Sequence, residues 1–315
     1  MPDPAVAQQI AEYASHLADD LKPWAPVGVP IILFGRRQAV ALAKRFYDHF
    51  KHDAPETQEQ AVRNGSDAAQ RMRDDVNSRV ERGELSEEQA RAAFERPDIA
   101  KHAQDALLAA SETPDPLLHE ELAKLIGARL VAPRESRVSI FLRMAADQLH
   151  YLNARQLRIL GLTFAMLYLE PAIPDLSGAD QATVDEAFGR YLLDLDDTLA
   201  PFHDLPPLRL IDFSHFAELG LADVLKSATS GMYTSADEQR STVLMPFQRQ
   251  FAAKVIGPQD ATSEWARFLM EGNRMQGEFG LKGIRLTPVG YVMGQCMYSI
   301  AHGIEFNPLR DWVGE

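Results

Sequence analysis

Helix signals in the middle of the chain, from Arg96 to Leu169, limit the possible folds more than any other feature. The segment holds three helix-sized apolar stretches separated by capping residues and prolines. One of these stretches begins at Asp115 and Pro116, which combine an N-cap residue with a proline at the first helical position, and it ends at Pro133. The apolar residues of this predicted helix are spaced by three and four: Leu117, Leu118, Leu122, Leu125, Ile126 and Leu130. The block predicts packed helices, and it contains no nucleophile motif, metal cluster or phosphate loop.

The first 95 residues predict a helical arm. Residues Glu56 to Arg82 are highly charged and carry only a thin apolar seam, which favours an exposed helix that ends at Gly83. Ser86 and Gln89 then have the spacing of a capping box, so a new helix is expected there. Pro97 is expected to end that short helix.

The last part of the chain predicts a second helical unit with a small module of mixed structure. Glycines within Phe279 to Leu286 favour a short hairpin, and Thr287 with Pro288 begins a final helix whose inner face includes Cys296. The predicted fold class is mainly α: a multi-helix domain with a small C-terminal winged-helix-like α+β module. The predicted domains are an N-terminal helical arm at 1–95, a central helical domain at 96–170 and a C-terminal helical, winged-helix-like domain at 180–315.

Composition limits the classes of function. The 315 residues carry a formal net charge of −13, which opposes tight binding of the whole surface to nucleic acid. The single cysteine excludes an intrachain disulfide and a zinc site built on cysteine pairs. Residues 1–20 lack the apolar core of a secretion signal, and the early apolar run is too short to span a bilayer. These features predict a cytoplasmic protein without a transmembrane segment.

One motif suggests catalysis. Asp194, Asp196 and Thr198 lie in a sequence that resembles the first motif of haloacid-dehalogenase-type phosphohydrolases. The resemblance implies that Asp194 is the nucleophile and Asp196 the general acid and base, beside a bound Mg²⁺. The alternative is a helix terminus with solvated acids, because the preceding pattern is helical. The remaining chain offers no acidic pair to complete the Mg²⁺ site, so the first expectation is no cofactor.

Other polar residues have simpler interpretations than catalysis. His49 and His52 have a metal-compatible spacing but no third ligand of the usual kind, so surface positions are favoured and no metal site is predicted. His119 precedes two acids that would complement a helix dipole. Cys296 falls on an apolar helix face, where a buried structural thiol is expected. Asp212 with His215 could form an acid and base pair, although a helix cap explains Asp212 more simply.

Two basic surfaces are candidates for binding. A helix predicted from Arg36 to Lys51 carries Arg36, Arg37, Lys44 and Arg45, a pattern that suits an anionic membrane or a protein partner. The alternative is a core-packed helix with a basic solvated face. The second surface is the predicted wing, where Lys282 and Arg285 could contact nucleic acid.

The order of the helix signals resembles the Abi-alpha family of bacterial proteins associated with abortive infection against phage. The matching segments are Pro97–Ile99, Ala106–Ala110, Asp115–Ile126, Leu152–Asn153 with Gln156–Leu157 and Ile159–Leu160, Leu219–Leu221 and Leu286–Gly290, ending at Cys296. The resemblance implies a role in phage defence and supplies no catalytic residues. The first functional hypothesis is therefore a defence-associated protein that binds a protein partner without recognisable catalysis; whether it also forms a homo-oligomer stays open. The Mg²⁺-dependent phosphohydrolase and the nucleic-acid binder are the alternatives.

Overall fold

The structure is a computed structural model that describes residues 17–169, 180–202, 205, 210–224 and 284–308, together with Gln8, Glu12 and Ser15. The described part of the chain is mainly helical, as predicted. It divides into two compact units. The first consists of Met1–Ala154 with Glu305–Glu315, and the second of Arg155–Ile304.

In the described part of the first unit, helical turns come first and six longer α-helices follow. A 3₁₀ turn at Asp19–Trp24, a short α turn at Ala25–Gly28 and a 3₁₀ turn at Val29–Phe34 come first. The helices are α1 (Arg36–Phe50), α2 (Pro55–Glu81), α3 (Glu87–Glu95), α4 (Pro97–Ser111), α5 (Pro116–Val131) and α6 (Arg137–Gln148), and a 3₁₀ turn at Leu149–Tyr151 follows.

The described part of the second unit is helical and contains one two-stranded sheet. Its helices are α7 (Ala154–Tyr168, which begins at the last residue of the first unit), α8 (Gln181–Leu199), α9 (Leu210–Glu218) and α10 (Pro288–Ala301), with a 3₁₀ turn at Ala200–Phe202. Strands β1 (Ala222–Val224) and β2 (Ile284–Leu286) pair antiparallel, with Ala222 opposite Leu286 and Asp223 opposite Arg285.

Helix α2 is central to the first unit and packs against both α4 and α5. The prediction of an exposed arm is therefore wrong for this segment, although the helix itself and its end at Gly83, where φ is +74°, are confirmed. The sequence shows few large apolar residues in α2 because most residues on its buried face are small. Small residues allow close helix contact: a Cβ on Gly65 would lie 2.5 Å from Cε1 of Phe46. The buried face of α2 comprises Ala61, Asn64, Gly65, Ala68, Ala69, Met72, Val76 and Arg79.

Most of the predicted helix starts are confirmed by their hydrogen bonds. The capping box is complete, because Gln89 N donates to Ser86 Oγ at 3.1 Å and Ser86 N donates to Gln89 Oε1 at 2.7 Å. Asp115 accepts from Leu117 N at 3.0 Å. Pro97 does not only end α3: it is the first residue of α4. These three helices thus begin where a side-chain acceptor or a proline suits the unpaired first turn.

Two predictions in the second unit have different outcomes. The hairpin predicted within Phe279 to Leu286 falls largely on residues 279–283, which lie outside the described part. The described strand β2 pairs with β1, some sixty residues earlier in the chain, a pairing that was not predicted. Asp212 is the third residue of α9 rather than its cap. Two short strands do not establish a winged helix.

Helix α10 is the most buried helix in the described part of the second unit. Its start is fixed on the turn after α9: Thr287 N donates to Leu221 O at 3.0 Å, and Thr287 Oγ1 donates to Gly220 O at 2.7 Å. Gly290 permits this approach, since a Cβ there would lie 1.9 Å from the carbonyl oxygen of Leu221. Cys296 is fully buried on the inner face, as predicted.

We expect Gly290→Ala to lower the free energy of unfolding of the second unit by about 1–3 kcal/mol, because the new methyl group meets backbone atoms that cannot rotate away. Gly189→Ala in α8 is the matched control. Nothing lies within 4 Å of its added Cβ, so the change should raise stability by about 0.5–1 kcal/mol through helix propensity. Urea denaturation followed by circular dichroism measures both. Equal effects of the two substitutions would contradict the packing of α10 described above.

Candidate functional site

The predicted basic surface lies on α1, and three of its four residues are exposed. Arg36, Arg37 and Lys44 face solvent, while Arg45 is half-buried and forms an ion pair with Asp105 of α4. The opposite face of α1 is buried, so this is a core-packed helix with a basic solvated side, as the alternative interpretation predicted. Its buried residues are Ala39, Leu42, Ala43, Phe46 and Phe50. We define the basic surface as Arg36, Arg37 and Lys44.

The start of α1 is electrostatically unfavourable. Arg36 and Arg37 occupy the first turn, which contains no acidic residue, and the N-cap residue Gly35 has no side chain to accept a hydrogen bond. The N-terminus of a helix carries a partial positive charge, so two cations there oppose the dipole. Local conflicts of this kind occur in folded proteins mainly where function requires them.

The histidine pair on α1 does not form part of a wider set of ligands in the described residues. His49 Nε2 lies 3.1 Å from Glu112 Oε1, and both side chains are substantially exposed. His52 is exposed in the turn after α1. Across the described part of the chain, no group of three or more His, Cys, Asp or Glu side chains is placed to hold a metal ion.

The phosphohydrolase motif lies within a helix and not at the end of a strand. Asp194 and Asp196 belong to α8, and Asp194 is exposed. The Thr198 hydroxyl donates to the backbone carbonyl of Asp194 at 2.8 Å, which is an ordinary contact within a helix. A nucleophilic aspartate needs the strand end that would aim it at a phosphoryl group. The hypothesis predicts a strand that ends at Asp194, and this prediction is wrong because Asp194 lies in α8. The phosphohydrolase hypothesis therefore has no support from the geometry of this segment.

The predicted nucleic-acid residues are only partly described. Lys282 lies outside the described residues, and Arg285 is exposed on β2. The strand register places Arg285 opposite the exposed Asp223. An acid across the strands offsets the positive charge that a phosphate backbone would need. Nucleic-acid binding stays a prediction that this register does not favour.

A charged groove of about 460 Å³ runs along α2 and α5, and its side chains pair with one another. Arg71 donates to Asp67 Oδ2 at 2.9 Å and to Glu120 Oε2 at 2.7 Å. The Nζ atom of Lys124 lies 3.7 Å from Glu120 and 3.9 Å from Asp75. The groove is therefore an ion-pair seam between two helices and not a single-sign binding site.

The deepest pair in this groove joins Asp75 to Arg79. Arg79 is only 3% exposed, and its Nε atom donates to Asp75 Oδ2 at 2.7 Å. Its other nitrogens donate to Glu84 Oε2 at 2.9 Å and to the carbonyl oxygen of Phe306 at 3.3 Å. Burial raises the pKa of Asp75, although Arg79 acts in the opposite direction. Beside them, contact with Glu84 raises the pKa of Glu305.

The acids after His119 do not complement the helix dipole as predicted. His119 is buried; its Nδ1 lies 2.8 Å from Asp67 Oδ2, and its Nε2 lies 2.9 Å from the carbonyl oxygen of Thr113. Glu121 is fully buried in the second turn of α5, and burial raises its pKa well above the ordinary value. Glu120 lines the charged groove between α2 and α5.

Four arginines surround a second, smaller cavity of about 210 Å³. They come from three places: Arg96 precedes α4, Arg129 lies near the end of α5, and Arg134 and Arg143 lie in the α5–α6 turn and on α6. We call this cavity the arginine pocket. Its acids are Asp98 and Glu135, and Ser139 and Ile140 complete the lining.

The sequence of this chain matches the model of one protein family over most of its length. A model of a protein family of unknown function matches residues 42–257, more than half of the chain. The chain belongs to that family. Nothing in this match concerns phage defence, so the resemblance to Abi-alpha stays a prediction. No curated protein and no solved structure matches the chain. None of the described helices is long and apolar enough to cross a membrane.

Sequence reasoning missed the arginine pocket and the Asp75–Arg79 pair, although a signal for both was present. Arg129 follows Leu122, Leu125 and Ile126 at helical spacing, so it occupies a stripe position where an apolar residue is expected. Arg79 likewise occupies a position on the buried face of α2 where an apolar residue is expected. A cation on a buried stripe predicts a partner elsewhere in the fold. The partner itself is invisible in the local pattern.

We expect Arg79→Ala to lower the free energy of unfolding by about 3–5 kcal/mol at pH 7, because it leaves Asp75 buried without its closest cation. Arg82→Ala, which removes a partly exposed arginine of the same helix, should cost at most about 1 kcal/mol. The double variant Asp75→Leu with Arg79→Leu should lose less than Arg79→Ala alone. Urea denaturation of the three variants measures these differences.

The cost of Arg79→Ala should also fall at lower pH. The pKa of Asp75 is raised in the folded protein, so the folded state takes up a proton more readily than the unfolded state. When the pH is lowered towards the ordinary pKa of 3.8, the Asp75 carboxylate that Arg79→Ala leaves without its partner takes up a proton and becomes neutral. The cost of burying an unpaired charge is then lost. A loss that is constant between pH 7 and pH 4.5 would contradict the buried ion pair as its cause.

Proposed function

We propose that this protein acts by binding a partner protein, and that the basic surface of Arg36, Arg37 and Lys44 contacts an acidic surface of that partner. The observation that supports this proposal is the start of α1, where two exposed arginines oppose the helix dipole. An acidic partner would turn this unfavourable arrangement into a favourable one. Arg37 and Lys44, seven residues apart, lie on one face of the helix, so one surface can contact both.

The proposed biological role is defence against phage. It comes from the resemblance of the capped helices to the Abi-alpha family. The described charges of the α2–α5 groove are paired within the groove, which supports a binding role over a reaction at that place. We further propose that the protein works in the cytoplasm, in keeping with its single cysteine, and that the C-terminal strands and α10 belong to a winged-helix-like module.

We expect Arg36→Glu with Arg37→Glu to stabilise the protein and abolish partner binding together. Each reversal exchanges a repulsive charge at the helix start for an attractive one, so the free energy of unfolding should rise by about 0.3–1 kcal/mol per residue at low salt. Urea denaturation measures this gain. Affinity purification from phage-infected and uninfected bacteria, followed by mass spectrometry, measures the loss of the partner.

The control variant is Arg63→Glu with Arg91→Glu, two exposed arginines on other helices that give the same change in net charge. It should keep the partner. Plaque counts provide the test in cells: the wild-type chain should reduce them, the α1 variant should not, and the control should behave as wild type. Unchanged partners and plaque counts in the α1 variant would refute the basic surface as the binding site.

A further inference from the structure

We propose that the arginine pocket binds a phosphoryl group, either as free inorganic phosphate or as a phosphate monoester. The pocket lies within the first unit and shares no residue with the basic surface on α1. The inference therefore stands apart from the proposed function. It rests on the burial and incomplete pairing of Arg129 and on the excess of arginines over acids in the lining.

Arg129 carries the main observation. Its side chain is 6% exposed, yet among the described residues its Nε atom has no hydrogen-bond partner. Its Nη2 atom lies 3.5 Å from Asp98 Oδ2, which is at the limit of a hydrogen bond. That carboxylate is already engaged by Arg96 at 3.0 Å and 3.3 Å. Asp147 adds only a weaker attraction. A buried guanidinium whose nearest acid is shared with another arginine is costly, so the site favours an additional anion.

The next neighbour of Arg129 cannot supply this charge. Arg129 Nη1 donates to Nδ1 of His102, which must therefore be unprotonated at that nitrogen. Burial, together with the nearby charges of Arg129 and Arg143, lowers the pKa of His102 to about 3, so the ring is neutral at neutral pH. Burial, and then repulsion from Arg143 and Arg96, lowers the pKa of Arg129 despite the attraction of Asp98 and, more weakly, of Asp147. The cluster keeps an excess of positive charge.

The rest of the lining also favours an anion. Four arginines face two acids, and Glu135 is 85% exposed and lies 3.8 Å from Arg134. Ser139 and Ile140 belong to the first turn of α6, whose dipole adds positive potential. This local excess occurs in a chain whose overall charge is −13.

Size and chemistry select the class of ligand. A cavity of about 210 Å³ is smaller than the roughly 300–1,000 Å³ of sites that enclose a whole organic ligand. It can take a tetrahedral oxyanion, with any organic group left outside. Planar guanidinium groups bind such oxygens in pairs, which a halide cannot reproduce. Asp147, 3.3 Å from His102, offsets part of the positive charge, and the four lining arginines still outnumber the three acids Asp98, Glu135 and Asp147.

Isothermal titration calorimetry of the full chain tests the proposal, with inorganic phosphate and O-phosphoserine as separate probes and sodium chloride at equal ionic strength as the reference. We expect saturable binding of at least one phosphate probe. Arg143→Gln, an exposed lining residue, should weaken it about tenfold or more. Glu135→Gln should strengthen it by about two- to fivefold, because it removes an acid from the rim.

Arg91→Gln is the matched control, since it removes one exposed arginine from α3, outside the pocket, and should leave the affinity unchanged. Tighter binding of inorganic phosphate than of O-phosphoserine would identify the free anion as the ligand, and the reverse order a phosphate ester. The proposal is overturned if neither probe gives saturable heat, or if Arg143→Gln binds as tightly as the wild type. Arg129→Gln, checked by circular dichroism for folding, should lose binding completely.

Discussion

The contact between α2 and α5 depends on a glycine that makes room for an ion pair. A Cβ on Gly127 would lie 1.9 Å from Asp75 Oδ2 and 2.9 Å from Arg79 Nε, so only glycine lets α5 pass over the buried pair. The pair in turn connects three separate parts of the first unit, because Arg79 also donates to Glu84 and to the carbonyl oxygen of Phe306. The largest helix interface of this unit is thus built around charges that have been taken out of water.

Positive charge is distributed unevenly in this acidic chain. Along the α2–α5 groove each arginine meets carboxylates, and the charges compensate one another. At the start of α1 and in the arginine pocket the charges are not compensated in this way. The arginines at the start of α1 are exposed and oppose a helix dipole, and in the pocket the buried Arg129 shares its nearest acid with Arg96. Such sites cost stability in the isolated molecule, so a ligand or partner of negative charge gains binding free energy by relieving them.

Sequence patterns predicted the features that are encoded locally. The capping box at Ser86 and the cap at Asp115 depend on hydrogen bonds across two or three residues, and both are formed. The role of α2 was missed because its seam consists largely of alanine and glycine, which contribute little hydrophobicity but allow close packing. The strand pair was missed because its partners are about sixty residues apart. The proposed binding residues followed the same division. The exposed arginines on α1 could be predicted from the sequence pattern, whereas the role of Arg129 depends on Asp98, His102 and Arg143, which the fold brings near it.

The hydrogen bond from Arg79 to Phe306 joins residues 227 positions apart, on the two sides of the whole second unit. On a ribosome that adds about 5–20 residues per second, the acceptor is made roughly 10–45 seconds after the donor. During that interval the guanidinium has Asp75 and Glu84 available but not its third partner. The first unit therefore completes its polar interior only after the second has been synthesised, although most of its helices come first in the chain.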